Sequence, residues 1–467
     1  MRKAPRYARS IFAVTFWLAE DERGKEALRL LQPQESTSCR RRHQRGSRRQ
    51  PSVPSFRSLA ALALTACGGG GSVAGDPVPG NPLPGPPDPP SGPVTPPVFS
   101  GLKDFAAAIV VFGQDGFTSG EQNHGADTPD ASSLSDPAGV AVTEDGRVFI
   151  ADPGNVRLLV LPQVPAALGA VAGFALGQPD VFSGGLTEEP EGFGFPRSVS
   201  VGVGKLAVAD SGLNRVVIYE SIPSDGRAKP TVVLGQPNFG TSAAGCDEFS
   251  LNSPSEAHIT PDGRLIVADT GNSRVLVWNS IPSAEESGRK ADVVLGQLDF
   301  DHCGANAGGG VTPARNTLRS PRGVWSDGTR MAVADVANSR VLLWDDMRNL
   351  ESGQLPDRVL GQPDFDTAAV NGPDRHTLVV PRAVTSNGTH LAVSDGNHRV
   401  LLWNAWPSQH GQPATTVIGQ RDFLQNQDDD SVESAQTLHQ PYGITFHRDK
   451  LLVIDADNNR LLVYQSD

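Results

Sequence analysis

The feature that most restricts how this 467-residue chain can fold is a unit of about sixty residues that occurs six times. Each unit carries an apolar residue followed by Gly-Gln: Phe112-Gly113-Gln114, Leu176-Gly177-Gln178, Leu234-Gly235-Gln236, Leu295-Gly296-Gln297, Leu360-Gly361-Gln362 and Ile418-Gly419-Gln420. A phenylalanine follows closely in every copy, at Phe117, Phe182, Phe239, Phe300, Phe365 and Phe423. A proline opens an apolar stretch at Pro137, Pro196, Pro254, Pro321, Pro381 and Pro441, with spacings of 59, 58, 67, 60 and 60. A unit of this size cannot bury its own apolar faces, so it must stack against its neighbours.

A third landmark is an Asp followed by Asn and Arg. It reads Asp152/Asn155/Arg157, Asp269/Asn272/Arg274, Asp335/Asn338/Arg340 and Asp455/Asn458/Arg460, with shifted versions at Asp210/Asn214/Arg215 and Asp395/Asn397/Arg399. Between the landmarks each unit reads as four short strands. In the third, residues 255–260 are followed by the Pro261-Asp262-Gly263 turn, then by an alternating, β-branched strand over 264–268, a strand over 275–278 and another over 292–295. Four antiparallel strands at a fixed period describe one blade of a β-propeller. The expectation is an all-β, six-bladed β-propeller of four-stranded antiparallel blades over residues 101–467. The chain opens with a fourth-strand sequence at 108–113 and ends after a third strand at 461–464, so the N-terminal strand is expected to complete the last blade.

These residues resemble the NHL repeat family: Pro-x-Gly-Val, then Asp-Gly-x-Leu-x-Val-Ala-Asp, then Asn-x-Arg-Val. The resemblance covers about 106–467 and implies the propeller fold. The added Leu-Gly-Gln-Pro-Asp-Phe element resembles a variant in bacterial surface NHL proteins. Propellers host binding and catalysis alike, so the resemblance names no function.

The N-terminus carries two short apolar runs. The first, residues 10–19, follows Arg2, Lys3, Arg6 and Arg9 but lacks a small-x-small cleavage site. The second, residues 58–66, leads into Leu64-Thr65-Ala66-Cys67 and a glycine run, which looks like a bacterial lipobox. That resemblance implies lipidation of Cys67, a leader or signal region over 1–66 and an outer-membrane lipoprotein, with a secreted protein of the cell envelope as the variant. A start codon placed too early is the alternative account of the basic first 57 residues. Residues 67–100 are rich in Gly and Pro and are expected to be a disordered tether. With Cys67 lipidated and Cys39 lost with the leader, Cys246 and Cys303 remain as a candidate disulfide; two unpaired thiols are the alternative.

Charge narrows the partners. Residues 1–57 hold 14 Lys and Arg against 5 Asp and Glu, which leaves 26 against 47, a net −21, for the rest. An acidic body lacks the basic stripe that nucleic acid needs, so no nucleic-acid partner is expected, and the membrane is reached only through a lipid anchor. The six Asp/Arg pairs are expected to be architectural, because six equivalent copies answer a structural need. The loops from each fourth strand to the next first strand are long and differ in sequence, which makes them the expected binding face. They carry Asp127, Asp130, Glu188, Glu189, Glu191, Asp247, Glu248, Asp299, Asp301, Asp364, Asp366, Asp374, Asp428, Asp429, Asp430 and Glu433. His258 falls on a first strand, but its equivalents Ala141, Ser200, Trp325, Thr385 and Thr445 form no ring of imidazoles. No catalytic residue, nucleophile elbow or phosphate loop stands out. The reading is a monomeric, noncatalytic propeller without a cofactor, which binds a protein, peptide or glycan through its long-loop face. The alternative is a metal-dependent enzyme, lyase- or lactonase-like, with Ca or Zn in the central channel.

Overall fold

The computed structural model describes residues 97–187, 189–427 and 433–466. The leader, Cys67 and nearly all of the tether lie outside the described residues, as do Glu188, Asp428, Asp429 and Asp430. Among the described residues there are strands and short 3-10 turns, and no helix is long and apolar enough to cross a membrane.

After the single strand β1 (Val110–Phe112), the chain forms six antiparallel sheets. Blade 1 is β2 (Val140–Val142), β3 (Val148–Asp152), β4 (Arg157–Leu161) and β5 (Phe174–Leu176). Blade 2 is β6 (Pro196–Gly202), β7 (Lys205–Asp210), β8 (Arg215–Tyr219) and β9 (Val232–Leu234). Blade 3 is β10 (Glu256–Ile259), β11 (Leu265–Asp269), β12 (Arg274–Trp278) and β13 (Val293–Leu295). Blade 4 is β14 (Pro321–Ser326), β15 (Met331–Asp335), β16 (Arg340–Trp344) and β17 (Arg358–Leu360). Blade 5 is β18 (Ala383–Ser386), β19 (Leu391–Asp395), β20 (Arg399–Trp403) and β21 (Thr416–Ile418). Blade 6 takes β22 (Pro441–His447), β23 (Lys450–Asp455) and β24 (Arg460–Gln465) from the C-terminus and β1 from the other end.

Closure follows the register Val110↔Val463, Val111↔Leu462 and Phe112↔Leu461. The clasp is longer than one strand. Phe99 N–H donates to the Arg448 carbonyl, and its ring is buried between His390 of blade 5 and Phe446 of blade 6.

Each sheet buries both faces against its neighbours, which places six apolar cores between blades. On β11, Leu265 and Val267 face Ala207, Ala209, Val216 and Ile218 of blade 2, while Ile266 and Ala268 face Met331, Val333 and Leu342 of blade 4. Period-2 geometry sends successive side chains to opposite sides. Because both sides are covered, the strand reads as a nearly continuous apolar run rather than the alternation expected from sequence. The first strand of each blade lines the central channel. The turn between second and third strands, the start of each first strand and the long inter-blade loops share one end of the ring, since Pro196, Pro321 and Pro441 pair with Asp210, Asp335 and Asp455.

Candidate functional site

The six Asp/Arg pairs are fully buried and hold this end of the ring in place. In every blade the Arg Nε donates to the Asp Oδ2, at 2.6 to 3.1 Å. The other carboxylate oxygen accepts a backbone N–H from the incoming long loop: Ser135, Phe195, Asn252, Arg319, Val379 and His439 in turn. Burial pushes the carboxyls of Asp152, Asp210, Asp269 and Asp335 up, against the pull of the guanidinium and these hydrogen bonds. Asn155, Asn272, Asn338 and Asn458 also donate to the Asp Oδ2. The shifted copies differ. Leu213 takes the Asn position in blade 2, so Asn214 becomes the left-handed residue that closes the turn, and in blade 5 a one-residue-shorter turn leaves Asn397 Nδ2 3.4 Å from Asp395.

The Gly-Gln landmark belongs to the same framework, a link that sequence reasoning missed. Each Gln Nε2 donates to the carbonyl of the left-handed residue before the Arg: Asn459, Val156, Asn214, Ser273, Ser339 and His398. It also donates to a carbonyl seven residues ahead, so the glutamine ties the loop's first turn to the blade. The preceding glycine has positive φ, and at Gly235 (φ +84°) a Cβ would lie 2.6 Å from Leu251 Cδ1. The Arg Nη1 donates to the carbonyl three residues after the Gln, which is a Phe in five blades and Val181 in blade 1, where Phe182 is displaced by one and exposed. Six recurrences of Gln were the available signal.

On this scaffold five of the acidic loop residues are turn formers. Asp130, Asp247, Asp299, Asp364 and Asp374 each accept backbone N–H groups two or three residues ahead. The His302 ring holds the Asp299 carboxyl below the usual range, and the Thr367 hydroxyl does the same for Asp364. Cys246 and Cys303 are joined in a disulfide between equivalent loops of neighbouring blades, with a Cα–Cα distance of 6.2 Å.

The channel holds what the sequence reading passed over. A cavity of about 200 Å³ is lined by the first strands. The residue after each landmark proline faces it or its rim: Ala138, Arg197, Ser255, Arg322, Arg382 and Tyr442. Arg197, Arg322 and Arg382 come from blades 2, 4 and 5 and meet at Tyr442 of blade 6. The Arg322 and Arg382 guanidiniums lie 5.9 and 4.7 Å from the Tyr442 ring centre, and Arg322 Nη1 is 3.5 Å from its hydroxyl. Burial alone would raise the Tyr442 phenol, but the three arginines outweigh it and hold it down at about 8. Burial and the charge of Arg322 push Arg197 down. In the next layer Gly323 lets the strands converge, since a Cβ there would lie 2.7 Å from the Ala383 Cα. Glu256 projects from the equivalent position of blade 3, and desolvation holds its carboxyl up at about 8 against the opposing pull of the nearby Ser198 hydroxyl and Ala257 N–H. Below it the ring of Ala141, Ser200, His258, Trp325, Thr385 and Thr445 lines the cavity, as the alignment predicts.

These groups do not fit zinc or calcium. Among the described residues lining the cavity His258 is the one imidazole, burial pushes its pKa down, and its Nε2 is already engaged by the Ser326 backbone, 2.9 Å from the carbonyl and 3.1 Å from the N–H. Among the described residues no three His, Cys, Asp or Glu side chains form a metal-holding group. Three cationic side chains at the mouth repel a divalent cation.

A closed ring of six four-stranded blades around a polar channel defines the class: the protein is a six-bladed β-propeller. No family model matches the sequence, and no curated protein matches it. Among solved structures, the chain is similar to selenomethionine-substituted virginiamycin B lyase from Staphylococcus aureus, with 11% identity, 71% of this chain and 95% of that chain covered, and a TM-score of 0.37. A catalytically inactive form of that lyase with quinupristin gives 11% identity, 73% and 96% coverage and a TM-score of 0.40. The WD40 β-propeller domain of Doa1 gives 11% identity, 77% and 97% coverage and a TM-score of 0.39.

Proposed function

We propose that the chain is a noncatalytic recognition propeller of the NHL type, a monomer held at a bacterial cell envelope, which binds a protein, peptide or glycan through its long-loop face. The observation that carries this reading is the division of labour at one end of the ring. Six near-identical buried Asp/Arg/Gln frameworks fix the ends of the loops, whereas the loop tips differ and present Phe182, Phe249, Leu298 and Leu424 exposed among acidic residues. Variable tips on a rigid base are how a repeat scaffold varies its ligand without altering its fold. The lipobox-like segment at Cys67 and the Gly/Pro-rich stretch after it supply the anchor and the reach. The test is a glycan and peptide array probed with the full chain and with the rim variant Phe182→Ser/Leu298→Ser/Leu424→Ser. The expected result is a ligand whose binding the rim variant weakens about tenfold or more while Arg227→Ser, in a loop at the opposite end, leaves it unchanged. A ligand indifferent to the rim, or chemically altered by the protein, overturns the reading. Cys67→Ser should move the chain from the detergent phase to the aqueous phase of a Triton X-114 partition.

A further inference from the structure

We propose that the mouth of the central channel is a binding site for a small organic carboxylate. The site goes beyond the loop-face reading and does not depend on it.

Three arginines from three blades converge on one phenol inside a chain whose body is otherwise strongly acidic. That arrangement is unfavourable by itself, because each guanidinium loses hydration and repels the others. A purely architectural arginine in this fold looks different: Arg274 has Asp269 on its Nε and backbone carbonyls on both other nitrogens. Arg382 has no such set. Its Nη2 donates to Gln440 Oε1, while its Nε and Nη1 are buried with no hydrogen-bond partner. Buried guanidinium donors left in this state mark a place for an acceptor that arrives from outside. The acid that bears on Arg197, Asp136, is exposed and sets one negative charge against three guanidiniums, so it neutralises the cluster only in part.

The rest of the cavity selects among anions. Its walls include Val199, Val324, Ile444 and Trp325, which an inorganic ion leaves uncovered and the carbon body of an organic acid covers. A volume of about 200 Å³ suits a dicarboxylic acid or a single sugar acid rather than a polymer. Glu256 stays protonated up to about pH 8, so below that it offers an O–H donor to a second oxyanion instead of repelling it.

The pH dependence follows from the same groups. As pH rises through about 8, Glu256 and Tyr442 both ionise, and the phenolate becomes an internal counter-ion for the arginines. The other charged groups that face them are Arg197, Arg322, Arg382, Asp136 and Asp457; His258 stays neutral. Carboxylate binding should therefore weaken above pH 8.

The experiment is isothermal titration of the full chain at pH 7 with succinate, galacturonate, neutral galactose and inorganic phosphate, repeated for Arg382→Met and Arg197→Met. Expected are saturable binding of succinate or galacturonate, none of galactose, and a loss of about tenfold or more in each variant with thermal stability kept or raised. Ultraviolet difference spectra supply a second readout: an anion on the arginines weakens their hold on the phenol and moves the tyrosinate transition near pH 8 upwards. Phosphate binding in preference to both acids overturns the assignment to a carboxylate. Absence of binding by every probe, or binding that both variants retain, overturns the site and makes the arginines a packing cluster around Tyr442. Neither negative result touches the loop-face reading, whose rim variant leaves the channel intact.

Discussion

Asp269→Ala isolates what the repeated framework contributes to the ring. The carboxylate is fully buried and serves three partners: Arg274 Nε at 2.7 Å, Asn272 Nδ2 at 2.8 Å and the Asn252 N–H at 2.7 Å. Removing it leaves a buried guanidinium whose remaining acceptors are neutral carbonyls, and breaking a buried pair from one side costs about 3 to 5 kcal/mol. The lost bond to Asn252 also frees the loop that enters blade 3. Domain stabilities are about 5 to 15 kcal/mol, so one alanine removes a large share. Asp269→Asn keeps an oxygen for one of the donors and should cost clearly less than the alanine. The assay is urea unfolding followed by tryptophan fluorescence, since Trp278 at the end of β12 is buried in the same blade. A loss below about 1 kcal/mol for Asp269→Ala would refute the view that the buried Arg274 charge depends on the Asp269 carboxylate. So would equal losses for alanine and asparagine.

Deleting residues 101–114 should open the ring. Val110, Val111 and Phe112 are all buried, their burial contributes roughly 5 to 9 kcal/mol together, and the deletion also exposes the edge of β24, so the expected product is aggregated chain on gel filtration. Cys246→Ser should lower the unfolding free energy by up to about 4 kcal/mol for a disulfide of separation 57, and a nonreduced digest of the parent should show the two peptides linked. Glu256 carries a folded-state pKa of about 8 against 4.5 for an unperturbed glutamate. The unfolded chain therefore ionises first, so this group's contribution to stability is full below pH 4.5 and drains as pH rises through 8. Glu256→Gln should flatten that decline, and urea midpoints of parent and variant at pH 5 and 7 that differ by the same amount would contradict it.

The ring was legible in the sequence because its landmarks repeat. Proline, Gly-Gln and Asp-Asn-Arg fix the ends of strands and the turns between them, and a six-fold period leaves few ways to bury twenty-four short apolar strands. Closure was legible too, because residues 108–113 read as a fourth strand and the last unit stops after a third. The added anchor of Phe99 between His390 and Phe446 was not, since one aromatic residue after a run of prolines carries no period. The role of the glutamines escaped for a different reason: a side-chain amide that bonds two backbone carbonyls leaves no hydropathy signal, and only its recurrence marks it. The channel mouth escaped because function was sought in residues that repeat or cluster along the chain. Arg197, Arg322 and Arg382 are about sixty or more residues apart, and they meet because each follows a landmark proline. Aligning the six units on that proline and reading down the next column gives Ala, Arg, Ser, Arg, Arg and Tyr, which is the ring seen in three dimensions.

That column also bears on how a net charge should be read in a repeat protein. The −21 beyond residue 57 includes loop carboxylates engaged with neighbouring backbone N–H groups, while three guanidiniums are gathered at the axis. Exposed carboxylates act over a Debye length of about 8 Å at physiological salt and are largely screened from one another, whereas charges enclosed by protein are screened far less. A surface of one sign and a buried cluster of the other therefore do not average to a single potential. A long polyanion meets the acidic rim along its whole length and is repelled, but a small anion that enters the channel meets the arginines alone. The same total charge that argues against a nucleic-acid stripe is compatible with an anion site at the centre. In a ring of near-identical units, the position after a shared landmark says more about such a site than the sum over the chain.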